Sequence, residues 1–135
     1  DVVRQSQDFS CVPASCATAL RLVGITATEA EMADLTRTRP GTGATLIRAM
    51  EALRHKLAHS DIRVSLLEPT YDQLCGLSMP VLTPLNLEIG RHHMVVLTEV
   101  TEHGARVLDP QLGKLFMDRA DLEDAFTHQV IVLER

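Results

Sequence analysis

Apolar and polar positions change period about halfway along the chain. Up to Leu57 the apolar side chains recur at helical spacing. Cys16, Leu20 and Val23 repeat at i, i+4 and i+7, which predicts a helix opening near Cys11 and running to about Val23. Ser10 stands where an N-cap belongs, Pro13 is tolerated in the first turn, and Gly24 is a natural C-terminal stop. Thr26-Ala27-Thr28-Glu29 reads as a capping box opening a short second helix through Leu35. After the breakers Arg39-Pro40-Gly41-Thr42-Gly43, the positions Leu46, Ile47, Met50, Leu53 and Leu57 mark a strongly amphipathic third helix. Beyond it, segments rich in Val, Ile and Leu read as strands: Ile62–Leu67, Val81–Leu87, His92–Thr101, Arg106–Leu108, Leu115–Met117 and Gln129–Leu133. Short helices are predicted between them at Thr70–Leu77 and Ala120–Phe126. Helices first and strands afterwards predict an α+β fold, with N-terminal helices packed against a C-terminal antiparallel β-sheet.

Bulk properties narrow the picture. A chain of 135 residues suits one domain, residues 1–135, which should bury roughly two-thirds of its unfolded surface. Apolar residues make up 45% and charged residues 23%, a globular balance that argues against disorder. The formal charge of −5, with no offsetting basic cluster, argues against a nucleic-acid partner. Arg37-Thr38-Arg39 and Arg54-His55-Lys56 read as solvated surface. No apolar run approaches the ~18 residues that span a bilayer, and no signal peptide is visible. Because the chain opens with Asp1 rather than methionine, a mature form or a domain cut from a longer protein is expected. A membrane or transporter region upstream is compatible with that. Three cysteines disfavour a disulfide framework, and Cys11 and Cys16 point to different faces of one helix. Reduced thiols favour the cytoplasm or the cytoplasmic face of a membrane.

The candidate chemistry begins at Cys11, where turn-like residues give way to an alanine-rich helix pattern. A cysteine at a helix start meets unpaired backbone N–H groups and the positive end of the macrodipole, and both favour thiolate over thiol. His93, early on one strand, and Asp109, late on the next, can lie side by side across a hairpin turning near Glu102-His103-Gly104. Asp109 would then orient the imidazole of His93, as a base-orienting carboxylate must.

These positions carry a resemblance. Gln5 lies six residues before Cys11, Pro13-Ala14 follows it as a small helix-start run, and His93-Met94-Val95-Val96 precedes Asp109-Pro110 by about sixteen residues. In this order the chain resembles the bacteriocin-processing (double-glycine leader) cysteine peptidase family of the papain-like clan. Gly41-Thr42-Gly43 is similar to the family's connecting loop, and the likeness runs from about Val3 to Val132. It implies a papain-like fold and a thiol-dependent endopeptidase acting on a peptide or protein, by analogy after small residues such as a Gly-Gly pair. It also implies the roles: Cys11 the nucleophile, His93 its partner and proton donor, Asp109 the orienting carboxylate, and Gln5 with the Cys11 N–H the oxyanion donors. No cofactor or metal is expected. The chain departs from the family pattern at Ser10, Val12 and Met94, which bears on substrate specificity more than on the triad.

Other residues have plainer readings. Cys16 and Cys75 read as small core residues, and His92 as the neighbour of His93 on the opposite strand face. His55 and His59, spaced i and i+4, lack the glutamate of a zincin motif and read as a solvated helix face. Asp118, Asp121, Glu123 and Asp124 read as helix-start and surface charge. Two rival functions use the same residues: a catalytically silent module that binds a leader peptide, and an acyl or amide transferase.

Overall fold

The computed structural model describes residues 1–41, 43–88 and 91–135. Three helices come first, α1 (Cys11–Leu22), α2 (Glu29–Thr36) and α3 (Leu46–Lys56). Then follow β1 (Arg63–Leu67), α4 (Tyr71–Cys75), β2 (Val81–Glu88), β3 (Arg91–Thr101), β4 (Gly104–Asp109), β5 (Gly113–Asp118), α5 (Arg119–Ala125) and β6 (Val130–Glu134). The strands form an antiparallel six-stranded sheet in the order β1-β6-β2-β3-β4-β5, so the architecture is α+β, as the change of period predicts. Among the described residues no helix is long and apolar enough to cross a membrane.

The sheet separates two apolar layers. On one face Leu82, Met94, Val96, Leu108, Ile131 and Leu133 pack with Cys16, Leu20, Met32 and Leu53 of α1–α3. On the other, Val81, Leu85, Val95, Leu97, Val107 and Val132 pack with Leu74 of α4 and Leu122 of α5. Strands buried on both faces lose polar alternation, which explains the nearly continuous Val/Ile/Leu runs of β2, β3 and β6. Cys16 and Leu20 of α1 and Val23 just beyond it are buried, at 0%, 0% and 8% exposure, but so is every residue from Val12 to Leu20, so the burial of α1 is wider than the expected stripe.

Several expectations need correction. The cap of α2 is Thr28, whose side chain accepts the Glu31 N–H at 3.1 Å, and not Thr26. The segment before it is held out of the helix by Arg21, whose Nε donates to the Ala27 carbonyl at 2.9 Å. Ser10 occupies the N-cap position of α1 without bonding its own helix through its side chain. In α3 the buried positions are Ala49, Ala52 and Leu53, with Leu57 just beyond, while Ile47 is 52% exposed. The two alanines let the helix approach its neighbours closely, so the face centred on them is buried instead of one including Ile47. His59 lies beyond the end of α3, and it and His55 are exposed. Cys75 is only half-buried, at the end of α4. Arg39 and Gly43 exchange backbone hydrogen bonds across a tight loop; Thr42, within the expected Gly-Thr-Gly turn, lies outside the described residues.

Candidate active site

α1 begins at Cys11, so the thiol stands at the helix N-terminus with no acidic residue in the first turn to compete for the unpaired N–H groups. The helix is fastened to the sheet one turn further on, where the buried hydroxyl of Ser15 donates to the Met94 carbonyl at 2.9 Å. That contact brings β3 against the start of α1, with His93 adjacent to the anchored residue.

A register slip sets the partner of His93. From Thr101↔Gly104 to Glu99↔Arg106 the β3–β4 pairs follow in step, but between Leu97 and Glu99 the register shifts, so Leu97 meets Val107 and Val96 meets Leu108. Continuing that register puts Asp109 opposite Val95, and His93 becomes its diagonal neighbour on the same face. Without the slip Asp109 would oppose Val96 and project away from His93, because strand faces alternate with a period of two.

His93 Nε2 lies 2.9 Å from Asp109 Oδ1, and both side chains are largely buried. The same carboxylate oxygen accepts the backbone N–H groups of Gln111 (2.7 Å) and Leu112 (3.1 Å), so the turn after β4 holds it in place. With Nε2 engaged, Nδ1 is left free, and the Cys11 thiol lies close enough to the imidazole for the two groups to shift each other's pKa. The structure thus brings Cys11, His93 and Asp109 together around one imidazole.

The electrostatics agree with the geometry. Burial pushes the Cys11 thiol up, but hydrogen bonds from His93 and the Met94 backbone, with the imidazolium charge, outweigh it and leave the pKa lowered. Burial alone would lower His93, yet hydrogen bonds to Asp109 and Cys11 and both negative charges raise it to about 9. Burial likewise raises Asp109, but the His93 hydrogen bond and the turn's N–H groups bring it below the usual carboxylate range. These directions favour a thiolate–imidazolium pair near neutral pH. Cys16, wholly buried, is pushed up to about 12 by burial and the neighbouring Cys11 charge, and stays an inert thiol.

Gln5 is held beside this group without joining it. Its backbone N–H donates to the Pro110 carbonyl at 2.8 Å, next to Asp109. Its side-chain Nε2 donates to the Gln7 carbonyl at 2.8 Å, and its Oε1 is buried without a partner. One of the two Nε2–H groups therefore remains for another acceptor. Beside Cys11 a cleft of about 920 Å³ runs between the helical half and the sheet, walled by Phe9, Val12, Gly43, Ala44, Leu46, Pro84, His92 and Met94. His92 and Met94 both face it, so His92 does lie across the strand from His93, as alternation requires. Gly43 fits its wall because it has no Cβ: at φ +64°, a Cβ there would stand 3.2 Å from the Phe9 carbonyl. Among the described residues no group of three His, Cys, Asp or Glu side chains is arranged to hold a metal ion.

Two supporting side chains are not singled out by sequence pattern. Ser15 is a polar residue on the buried side of an apolar helix, which is a weak signal for an anchor. Glu29 reads from sequence as the glutamate of a capping box, although it reaches the segment before Cys11.

Comparison with known proteins adds the lineage. The model of the peptidase C39 family matches residues 1–135. An uncharacterized protein of Methanothermobacter thermautotrophicus is 30% identical over 142 residues, covering 99% of this chain and 88% of its own. Among solved structures, the peptidase domain of Streptococcus ComA, a bifunctional ABC transporter involved in quorum sensing, superposes with a TM-score of 0.85 at 20% identity, covering 98% of this chain and 96% of that one. A double glycine motif protease from an AMS/PCAT transporter, in complex with its leader peptide, gives 0.83 at 17% identity, covering 99% and 90%.

Proposed function

The chain belongs to the peptidase C39 family, and from that premise we propose that it is an active cysteine endopeptidase using a Cys11–His93–Asp109 triad. The observation that carries this reading is the imidazole of His93 held between the Cys11 thiol and Asp109, at 2.9 Å from the carboxylate. In the proposed reaction the Cys11 thiolate attacks the scissile carbonyl carbon, forming a C–S bond and an oxyanion. The Cys11 N–H and the free Nε2–H of Gln5 stabilise that oxyanion; removing one such donor typically costs ~10²–10³ in kcat. Protonated His93 gives its proton to the departing amine as the C–N bond breaks, leaving a thioester. His93, now neutral, takes a proton from water, the hydroxide displaces the thiolate, and the imidazolium–thiolate pair is restored. Asp109 holds one tautomer of His93 throughout and offsets its charge.

The substrate is a peptide or protein cut after small residues, by likeness to the double glycine motif protease above. The small residues Gly43 and Ala44 beside Cys11 suit such a sequence. Incubation with a peptide containing an internal Gly-Gly pair should give two products by mass spectrometry, and Cys11→Ala should give none. Iodoacetamide should label Cys11 in the native protein and spare Cys16. A Cys11 thiol titrating near pH 8.5, like a free cysteine, would overturn the reading. So would tight peptide binding without product in the wild type and unchanged in Cys11→Ser.

A further inference from the structure

Residues 1–10 form no helix or strand, yet they carry Gln5 and deliver the chain to Cys11. Such a segment keeps one conformation only where other elements hold it. One end is tied down by the Val3 N–H on Thr18 Oγ1 (2.9 Å) and the Gln5 N–H on the Pro110 carbonyl (2.8 Å). Among the described residues, the stretch between Gln5 and Cys11 is hydrogen-bonded by one side chain from another element, Glu29, the first residue of α2. Its carboxylate accepts the Ser6 N–H at 2.7 Å, the Ser6 hydroxyl at 2.5 Å and the Ser10 hydroxyl at 2.9 Å.

Those contacts continue inward. Ser10 is 3% exposed, directly precedes Cys11, and has its oxygen turned to Glu29 and not to its own helix. The same oxygen accepts the Gln7 N–H at 3.0 Å, and the Gln7 carbonyl receives the Gln5 amide at 2.8 Å. A short chain of hydrogen bonds therefore runs from Glu29 through Ser10 and Gln7 to the side chain of Gln5.

We infer that Glu29 is a positioning residue for the oxyanion donors, fixing the arm from Gln5 to Cys11 so that the Gln5 amide and the Cys11 N–H keep a common orientation. This rests on the peptidase reading and on the role proposed for Gln5. Glu29 touches neither the thiol nor the imidazole, so its loss should disturb oxyanion binding and leave thiolate formation alone. The competing role is electrostatic: a carboxylate in the first turn of α2 favours that helix through its macrodipole. Reach and charge separate the two. Glu29→Asp keeps the charge at the helix start but withdraws the carboxylate by one methylene. Glu29→Gln keeps the reach, and its amide can still accept the Ser6 N–H, but it loses the charge.

The experiment compares two probes on the wild-type protein and both variants. N-acetyl-glycyl-glycinal forms a hemithioacetal with Cys11 whose oxygen occupies the oxyanion position, whereas iodoacetamide alkylates the thiolate by direct displacement with no oxyanion. Glu29→Asp is expected to weaken aldehyde inhibition about tenfold, below the ~10²–10³ effect of deleting a donor outright. Peptide kcat should fall in parallel with KM little changed. Glu29→Gln should stay within about threefold, and alkylation rates within about twofold in both variants, by the same reasoning. Equal aldehyde affinity in all three proteins overturns the inference, and so does a larger loss in Glu29→Gln than in Glu29→Asp. Alkylation falling in step with aldehyde affinity also overturns it. If the wild type itself forms no aldehyde adduct, the peptidase reading falls and takes this inference with it; a wild-type adduct matched by both variants removes the inference alone.

Discussion

At the scale of single residues, the site depends on one imidazole with two different neighbours. Asp109 gives its Oδ1 both to His93 and to two N–H groups of the following turn, so its position does not depend on the histidine. Asp109→Asn should therefore keep the turn through its Oδ1 while removing the negative charge that stabilises the His93 imidazolium. We expect kcat to fall by about 10²-fold or more, as in other triads whose carboxylate becomes an amide. The pH dependence follows from the same contacts. His93 is raised to about 9, so the imidazolium is present below that pH and lost above it. Cys11 is lowered, so the thiolate persists below the ordinary thiol range. A plot of kcat/KM against pH should be a bell whose alkaline limb falls near pH 9, the two limbs belonging to the pair as a unit. In Asp109→Asn the alkaline limb should move to lower pH, because the carboxylate that raises His93 is gone. An alkaline limb that stays in place would refute Asp109 as the source of that shift. The residues themselves were legible in the sequence as an ordered set of chemical types. The contacts of Gln5 were not, because a side chain two residues from its own acceptor leaves no spacing signature.

Among the elements, β3 is the one whose irregularity matters most. Thr98 falls where the β3–β4 register slips, and the slip puts His93 and Asp109 on one face. Deleting Thr98 removes the extra residue, so that Leu97↔Val107 follows Glu99↔Arg106 in step, and His93 and Asp109 should stay on one face. The expected outcome is retained peptide cleavage with sheet content by circular dichroism unchanged, and His93 keeping its raised pKa by NMR titration. Loss of cleavage together with an ordinary histidine pKa in the deletion variant would show that Thr98 is not the residue the slip leaves unpaired. The hairpin was readable from alternating apolar residues and a turn near Gly104. The slip was not, because nothing in the run Val95–Val100 distinguishes a paired residue from an unpaired one. Similar limits explain α2 and α3. Thr26 and Thr28 are equally good caps by composition, and only the Arg21 contact with the Ala27 carbonyl selects the second. In α3 the hydrophobic pattern includes Ile47, whereas close approach between helices favours the alanine face.

For the whole molecule, the sheet acts as a partition between two apolar clusters, one beneath α1–α3 and one beneath α4 and α5. Leu20 and Leu122 are each fully buried, one in each cluster. Leu20→Ala and Leu122→Ala should each cost about 2–5 kcal/mol, the range for truncating a buried leucine. Because the two share no cluster, their effects in the double variant should add to within about 0.5 kcal/mol. Chemical denaturation of the four proteins measures this, and a coupling energy well above that margin would mean that the clusters act as one core. The same partition explains why the fold class was legible: a chain that places helices first and doubly buried strands afterwards has few ways to cover its sheet.

The order of residue types along the chain determined the class of fold, the lineage and which groups are candidates for the chemistry, since periodicity and chemical type are local properties of a sequence. Whether those groups meet is a matter of register, packing distance and hydrogen-bond competition between segments far apart in the chain. The slip at Thr98, the Ser15 anchor to Met94 and the Glu29 grip on the arm before Cys11 all belong to that second kind. Each joins residues from different elements, and such pairings acquire an energy only when the chain has folded.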